Sequence, residues 1–454
     1  MKLPETSDTI VAQATPPGAG ALAVIRLSGP QAFGAAASFL SPVPAEPVHR
    51  AARMLAVKDG ARLVDRAVAV FYRGPASYTG QDTVEISCHG SPYIIRTIMN
   101  LALRAGARPA GPGEFTLRAF LNGKLDLVQA EAVGELIAAG SAEAHRAAIT
   151  QVEGGVSERV RGIKTALVSL LAELEARLDD SYEEIPALKT RDFARRAAAA
   201  RASTLELAKG FEAGRGIKEG LKVVITGAPN SGKSSLLNAL LGYDRAMVSR
   251  QAGTTRDTLE AELELHGFTV IFTDTAGLNA RAASRLEREG MSRAAKAIAR
   301  ADAVILVSDA SIKETASDRR SEKEAARLPA GARLIRVLNK ADLPLKRSRR
   351  GSLKISARTG AGLPALRTLL VAGQKKVFRD GAQAVVTSAR HFAALSAAAG
   401  ELGALRALLE RKEPPAELAA ERLRAALSEL SSILGETTPE EVLADIFRHF
   451  CVGK

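Results

Sequence analysis

Gly227-Ala228-Pro229-Asn230-Ser231-Gly232-Lys233-Ser234 has the spacing GxxxxGK[ST] of a phosphate-binding loop. The apolar run 221–226 comes just before it, and the helix-forming run 236–240 follows. That strand–loop–helix setting separates a working loop from a chance match. The chemistry needs this composition. Glycines let backbone N–H groups close around phosphate oxygens, and the helix start adds positive dipole. Lys233 is spaced to reach the outer phosphates, and the Ser234 hydroxyl to ligate Mg²⁺. Asn230, Ser231, Gly232 and Ser235 complete the expected nucleotide contacts.

Later motifs select the nucleotide. Asp274-Thr275-Ala276-Gly277 ends the apolar run 268–273, where a metal-facing aspartate is expected. Asn339-Lys340-Ala341-Asp342 ends the run 334–338. The Asp342 carboxylate can accept both the N1–H and the 2-amino group of guanine. Adenine offers no such pair and would leave it unsatisfied, at about 1–3 kcal/mol. Ser356-Ala357-Arg358 follows the short strand 353–355 and fits the loop that closes over the base. Together, in this order at strand ends, these motifs predict a GTP-binding domain.

Hydrolysis departs from the Ras-like template, in which a glutamine just after DxxG orients the water. Leu278 stands there and cannot. Glu287 and Glu289 lie further along, and either can polarise a water if the loop swings in; solvated charges at a helix start are the plainer reading. Gly253-Thr254-Thr255-Arg256-Asp257 reads as the first switch, with Thr255 a second Mg²⁺ ligand. Arg256 reads equally as a catalytic arginine or a structural ion pair.

The elements that must position these groups exceed one domain in 454 residues. Lys+Arg 63 against Asp+Glu 50 gives +13, a balance that suits an anionic partner such as RNA or simply a basic proteome. The dense cluster Lys346-Arg347-Ser348-Arg349-Arg350 reads as a solvated face. Two cysteines, Cys88 and Cys451, make neither a disulfide framework nor a metal set, which points to a reducing cytosol. No apolar run is expected to reach transmembrane length, and the N-terminus has no signal-peptide pattern. A cytoplasmic protein with no membrane association is the expectation.

The fold class expected is multidomain α/β. Residues 1–122 mix β-rich runs (21–27, 67–72, 83–87) with Gly/Pro punctuation and read as an α+β domain. Residues 123–215 turn helical, with Leu167, Leu170, Leu171, Leu174 and Leu178 on one stripe. The GTP domain spans 216–374. Helical texture returns over 375–454, where Phe392, Leu395, Leu402, Leu405 and Leu409 share a face. One bundle built from both flanks, with the GTP domain inserted between them, is the economical arrangement. Two patches remain. Phe450-Cys451-Val452-Gly453-Lys454 puts a thiol and a cation on an end expected to be mobile. Arg26, Glu85, His89 and Lys124 stand beside turns or strands, where ordinary surface charge explains them as well.

With these residues in hand, the chain resembles the MnmE (TrmE) family of tRNA-modification GTPases from end to end. The segments that carry the resemblance are Asp8-Thr9-Ile10-Val11-Ala12-Gln13-Ala14-Thr15-Pro16-Pro17-Gly18, Pro112-Gly113-Glu114-Phe115-Thr116, Arg118-Ala119-Phe120-Leu121-Asn122-Gly123-Lys124-Leu125-Asp126-Leu127, the GTPase motifs and the terminal Phe-Cys-x-Gly-Lys. The resemblance implies a folate-binding, dimerising N-terminal domain, a helical domain in two segments and an inserted Ras-like P-loop domain. It implies a partner, MnmG (GidA), that uses FAD and NADH and joins in a heterotetramer. The pair would add an aminomethyl-type group, often carboxymethylaminomethyl, to carbon 5 of wobble uridine in certain tRNAs. The one-carbon unit would come from 5-formyl- or methylene-tetrahydrofolate.

By motif match, Arg26, Glu85, Lys124 and Lys454 would line the folate site, with Cys451 beside it as a candidate catalytic thiol. A homodimer would pair its GTP domains across K⁺, held by Asn230, Ser249, Gln251 and Thr254. A fixed K⁺ can do the charge work of an arginine finger. Glu287 matches the family's water-positioning glutamate. Asn279-Ala280-Arg281-Ala282-Ala283 replaces a more usual acidic stretch and is one residue longer than in some relatives, which leaves Glu289 as the alternate. Val452 stands where Ile is common. Two other readings compete. A ribosome-assembly or signalling GTPase leaves 8–18, 112–127 and 450–454 unexplained. A folate-dependent one-carbon transferase with a regulatory GTPase differs mainly in substrate.

Overall fold

The computed structural model describes residues 6–178, 189–243, 260–274, 297–329, 331–379, 385–411 and 415–454. The chain folds as two compact units. The first comprises Met1–Gly134, Gln151–Arg201 and Ala397–Lys454; the second comprises Glu135–Thr150 and Ala202–Ser396.

The first unit holds a seven-stranded sheet of order β3-β4-β5-β6-β2-β1-β7. Its strands are β1 (Ile10–Gln13), β2 (Leu22–Ser28), β3 (Leu40–Ser41), β4 (Ala52–Asp59), β5 (Arg62–Tyr72), β6 (Thr83–His89) and β7 (Arg108–Pro109). Alternation decides which side chains face the core. Ala23, Ile25 and Leu27 of β2 and Val84, Ile86 and Cys88 of β6 are buried with α1 (Ala32–Ala37) and α2 (Pro92–Arg104). The same pleat puts Arg26 and Glu85 on the opposite face, directly across from each other. Burial pushes the Cys88 thiol up to about 11.

A second cluster joins α3 (Glu114–Leu121), α4 (Leu127–Ala138) and α14 (Glu440–Arg448) through Leu117, Leu127, Ala130, Leu443 and Phe447. The long helices α6 (Gly155–Leu178) and α13 (Ala416–Leu434) pack along each other. On α6, Leu167, Leu170 and Leu174 are buried, while Leu171 and Leu178 of the expected stripe are half-buried.

The second unit holds a six-stranded sheet of order β13-β12-β11-β8-β10-β9. Its strands are β8 (Leu221–Gly227), β9 (Glu260–Leu265), β10 (Phe268–Asp274), β11 (Ala303–Asp309), β12 (Arg333–Asn339) and β13 (Leu353–Lys354). Strands β10, β8, β11 and β12 run parallel. Parallel strands covered on both faces read as continuous apolar runs, as 303–307 does. Helices α9 (Lys233–Tyr243) and α11 (Leu363–Arg379) bury Leu236, Leu240, Leu366 and Leu370 in this core, and α5 (Ala142–Val152) adds Ala147. The unit also contains α8 (Phe211–Glu219) and α10 (Ala316–Ala325), and α7 (Thr190–Lys209) contributes its end.

Helix α12 (Ala389–Leu409) corrects one expectation: by length and composition it is long and apolar enough to cross a membrane. Leu395, Ala398, Leu402 and Leu405 on it are nevertheless buried within the protein, as the stripe reading requires of core residues. Phe392 is half out of the core and stacks on Phe211 at 4.6 Å between centroids.

In the first unit, four charges meet around a buried pair, Arg118 and Glu114, with Asp8 and Arg108 partly exposed. Arg118 is fully buried; its guanidinium donates to Asp8 Oδ1 (2.5 Å), the Asp8 carbonyl (2.6 Å), Glu114 Oε1 (3.0 Å) and Gln81 Oε1 (3.1 Å). Arg108 donates to both Glu114 oxygens, at 2.8 and 2.6 Å, and to Asp8 Oδ2 at 2.5 Å. Burial pushes both carboxyls up, but the guanidinium hydrogen bonds outweigh it and hold Asp8 and Glu114 below their ordinary values. The folded state therefore binds fewer protons than the unfolded chain near pH 4. This stability is fully present above the unfolded carboxylate values, roughly 4, and is lost as pH falls through the lower folded ones. Glu114→Gln should cost about 3 kcal/mol of unfolding free energy at pH 7. Its deficit against the unchanged chain should shrink as pH drops below roughly 4, where both Glu forms become protonated. Denaturant titrations at stepped pH measure this, and a deficit constant down to pH 3 would contradict it.

Candidate functional site

The GTPase motifs fall at the carboxyl ends of neighbouring parallel strands, the edge where open α/β sheets bind ligands. Gly227 ends β8, Asp274 ends β10 and Asn339 ends β12. Helix α9 begins at Lys233, which aims its first turn at the loop 227–232. Lys233 Nζ donates to the Gly227 and Ala228 carbonyls at 3.0 and 2.9 Å, holding the ammonium within the loop. Asn230 adopts φ +60° and is exposed; Ser231 is buried; Gly232 adopts φ +92°. A Cβ at Gly232 would collide with Asn339 Nδ2, so only glycine fits there. Ser234 and Ser235 are exposed in the first turn of α9, and the Ser234 hydroxyl is an oxygen donor suited to Mg²⁺.

Asn339 ties the phosphate loop to the base loop. Its Nδ2 donates to the Ser231 carbonyl at 3.0 Å, and its Oδ1 accepts from Ala357 N–H at 3.0 Å. Asp342 is exposed, and Ser356 Oγ donates to its Oδ1 at 2.7 Å. That hydrogen bond holds the Asp342 carboxyl below its ordinary value, keeping it an acceptor. Arg358 is exposed in the same loop, with the turn closed by Ser356 N–H to Ala361 carbonyl at 2.9 Å. The sequence-predicted Ser249, Gln251, Gly253, Thr254, Thr255, Thr275, Ala276, Gly277, Glu287 and Glu289 lie outside the described residues, as does the Asp274 side chain.

The basic cluster is not the plain solvated face expected. Arg347 pairs with Asp318 at 3.1 Å and Arg349 with Glu322 at 2.6 Å, fastening the loop to α10. Lys346 and Arg350 are exposed.

The second constellation lies in the first unit. Arg26 forms a double contact with Glu85 Oε1, from Nε at 2.9 Å and Nη2 at 2.7 Å, and Tyr72 Oη donates to Glu85 Oε2 at 3.4 Å. The Arg26 guanidinium lies over the Phe115 ring at 5.5 Å and the Tyr78 ring at 5.7 Å. The terminal segment comes to this place. Gly113 N–H donates to the Cys451 carbonyl at 3.3 Å, Phe115 N–H to the Lys454 carbonyl at 3.1 Å, and Arg26 Nη1 to the Gly453 carbonyl at 3.4 Å. Pro112 and Val452 form a β-bridge. The expectation of a mobile end is thereby corrected: backbone groups dock it, and such pairing leaves no mark in the side-chain pattern. Cys451 is exposed.

Lys124 Nζ donates to the Pro75 carbonyl at 3.0 Å in the 74–81 loop that also carries Tyr78. The Arg26–Glu85 pair offers donors and acceptors beside two aromatic rings. His89 is held by Asp65, Nδ1 to Oδ1 at 2.8 Å, away from the Arg26 cluster in the register of β2 and β6. Sequence reasoning missed Tyr72, Tyr78 and the role of Phe115; their placement beside Arg26 depends on tertiary folding alone.

Residues 127–451 match the family model of the MnmE helical domain, and residues 9–124 that of the GTP-binding protein TrmE N-terminus. The tRNA modification GTPase MnmE of Cytophaga hutchinsonii is 38% identical over 461 residues, covering 99% of this chain and 98% of that one. That of Akkermansia muciniphila is 39% identical over 452 residues, covering 98% and 99%. That of Thermotoga maritima is 37% identical over 462 residues, covering 98% and 100%. Among solved structures, the G domain of the T. maritima FeoB iron transporter is 25% identical over 34% of this chain and 97% of that one. Its TM-score of 0.25 is too low to bear on the fold.

Gly453 adopts φ +95°, and a Cβ there would collide with the Gln13 carbonyl. Gly453→Ala should therefore release the tail at a local cost of about 1–3 kcal/mol. Carboxypeptidase should trim the variant's end at least ~10-fold faster, with the melting temperature of the second unit unchanged. Equal trimming rates would contradict the docking.

Proposed function

This chain belongs to the MnmE family of tRNA modification GTPases, and we propose that it spends GTP to place a (carboxymethyl)aminomethyl group on carbon 5 of wobble uridine. GTP hydrolysis in tRNA modification is the activity of the family. The finer assignment has a folate-borne one-carbon unit used at the N-terminal sheet and an FAD- and NADH-using partner of the MnmG kind in a heterotetramer. The chain would work as a cytoplasmic homodimer. The observation that most supports a second chemical site is the tail's approach to Arg26, which no GTPase step requires.

In the GTP domain, Lys233 and the N–H groups of Ser231–Ser235 bind the phosphates, and Asp342 accepts the guanine edge. Ser234 and Thr255 would hold Mg²⁺, which would supply positive charge to the transferred phosphoryl group. Asn230, Ser249, Gln251 and Thr254 would hold K⁺, which would supply the charge an arginine finger supplies elsewhere. Glu287, with Glu289 as the alternate, orients the water that attacks the γ-phosphorus as the bond to the GDP oxygen breaks. Gly253, Thr275, Ala276 and Gly277 complete the nucleotide contacts. Asn339, Lys340, Ser356, Ala357 and Arg358 frame the base.

At the N-terminal site, Arg26, Glu85, Lys124 and Lys454 bind 5-formyl- or methylene-tetrahydrofolate, which supplies the carbon. Lys454 offers a charge-assisted contact to a carbonyl or carboxylate of that ligand. Cys451, exposed beside it, can serve as nucleophile or proton carrier in its thiolate form.

Two experiments test these assignments. Deleting residues 450–454 should leave GTP binding and K⁺-stimulated hydrolysis intact while abolishing wobble-uridine modification, read by mass spectrometry of tRNA nucleosides. Modification at the full level, or loss of hydrolysis by a folded variant, would refute the separation. Asp342→Asn should weaken GTP by about 10²-fold and favour xanthosine nucleotides, because the donor–acceptor pattern inverts. Unchanged GTP affinity would sink that reading.

A further inference from the structure

Asp309 ends β11 in register with Asn339, the last residue of β12. Its carboxylate is buried and its two oxygens have different work. Oδ1 accepts from the Ser311 N–H at 2.8 Å and the Ser311 hydroxyl at 2.6 Å. Oδ2 accepts from Lys340 Nζ at 2.6 Å. Burial pushes the Asp309 carboxyl up, but the Lys340 and Ser311 hydrogen bonds outweigh it and keep it below its ordinary value, so it stays charged.

Lys340 adopts φ +62°, a left-handed conformation that costs a residue with a Cβ about 1–2 kcal/mol. That turn lies between Asn339, which grips the phosphate and base loops, and Asp342, which stands beside Ser356. The segments after β11 and β12 are laced further by Ala310 N–H to the Asn339 carbonyl at 2.8 Å and Lys346 N–H to the Ala310 carbonyl at 2.9 Å. The ion pair with Asp309 holds the Lys340 side chain, while Ala341 N–H to the Ile355 carbonyl at 2.9 Å and Leu343 N–H to the Lys340 carbonyl at 3.0 Å hold the backbone.

We propose that Asp309 is a positioning residue for guanine selection: by anchoring Lys340 in its left-handed turn it fixes the loop that presents Asp342 to the base. This rests on the reading of Asp342 as the guanine acceptor. Asp309 acts only through Lys340 and Asp342.

Equilibrium affinities of the full chain for GDP and IDP provide the test, since IDP lacks the 2-amino donor. The unchanged chain should prefer GDP. Asp309→Ala should lose about 10-fold on GDP and less on IDP, so the preference narrows. Lys340→Ala should narrow the GDP-to-IDP preference at least as far as Asp309→Ala does, since Asp309 acts through it. A general loss of packing would instead weaken GDP and IDP alike. An unaltered GDP-to-IDP ratio in Asp309→Ala would overturn the positioning role. If Asp309→Ala does not fold, Asp309→Asn supplies the same comparison, keeping the shape while removing the charge. No GDP preference in the unchanged chain would overturn the Asp342 reading and this inference with it; a preference that Asp309 variants leave untouched would overturn this inference alone.

Discussion

Arg118, fully buried, has to be neutralised where it lies, and the first unit is organised around that requirement. An unpaired guanidinium in such a place costs several kcal/mol. Asp8 comes from the segment before β1, Arg108 from β7, and Glu114 and Arg118 from one turn of α3. Satisfying all four charges fixes the start of α3 against the edge of the sheet. Once α3 is fixed, the N–H groups of Gly113 and Phe115 point to where the chain's last residues dock, and the Phe115 ring lies under Arg26. The same four charges thus set where α3 presents Phe115 to Arg26.

The GTP-binding domain solves an analogous problem with one neutral side chain. Asn339 reaches the phosphate loop with its amide nitrogen and the base loop with its oxygen. A single residue at the end of β12 thereby ties phosphate recognition to base recognition. Gly232 has no side chain because Asn339 passes there. Strand register carries this through the sheet, since Asp309 and Asn339 are paired partners.

What could be read from the sequence was what is local. The GTPase motifs are short, their spacing encodes the loop, and β8, β10 and β12 end within a residue of the expected positions. Arg26 and Glu85 stood out beside turns or strands but gained a role only by resemblance, and pleat alternation plus register puts them in contact. The buried network was not legible: Asp8 and Arg118 are 110 residues apart, and an arginine on a helix reads as solvent-facing. Tail docking was not legible either, because it is made by backbone groups that every residue carries. The transmembrane-length character of α12 was missed since its alanines scatter hydropathy among Arg390, Glu401 and Arg406. The stripe on that helix still identified the buried residues Leu395, Leu402 and Leu405 correctly.

The central claim is that the terminal residues complete a folate site on the N-terminal sheet, physically independent of nucleotide turnover. Calorimetric titration of 5-formyltetrahydrofolate into the full chain, into Arg26→Ala and into the chain lacking 450–454 tests it most directly. The expected result is saturable binding by the full chain, unaffected by GDP, and a loss of about 10-fold or more in each variant. Equal affinity in all three proteins would contradict it.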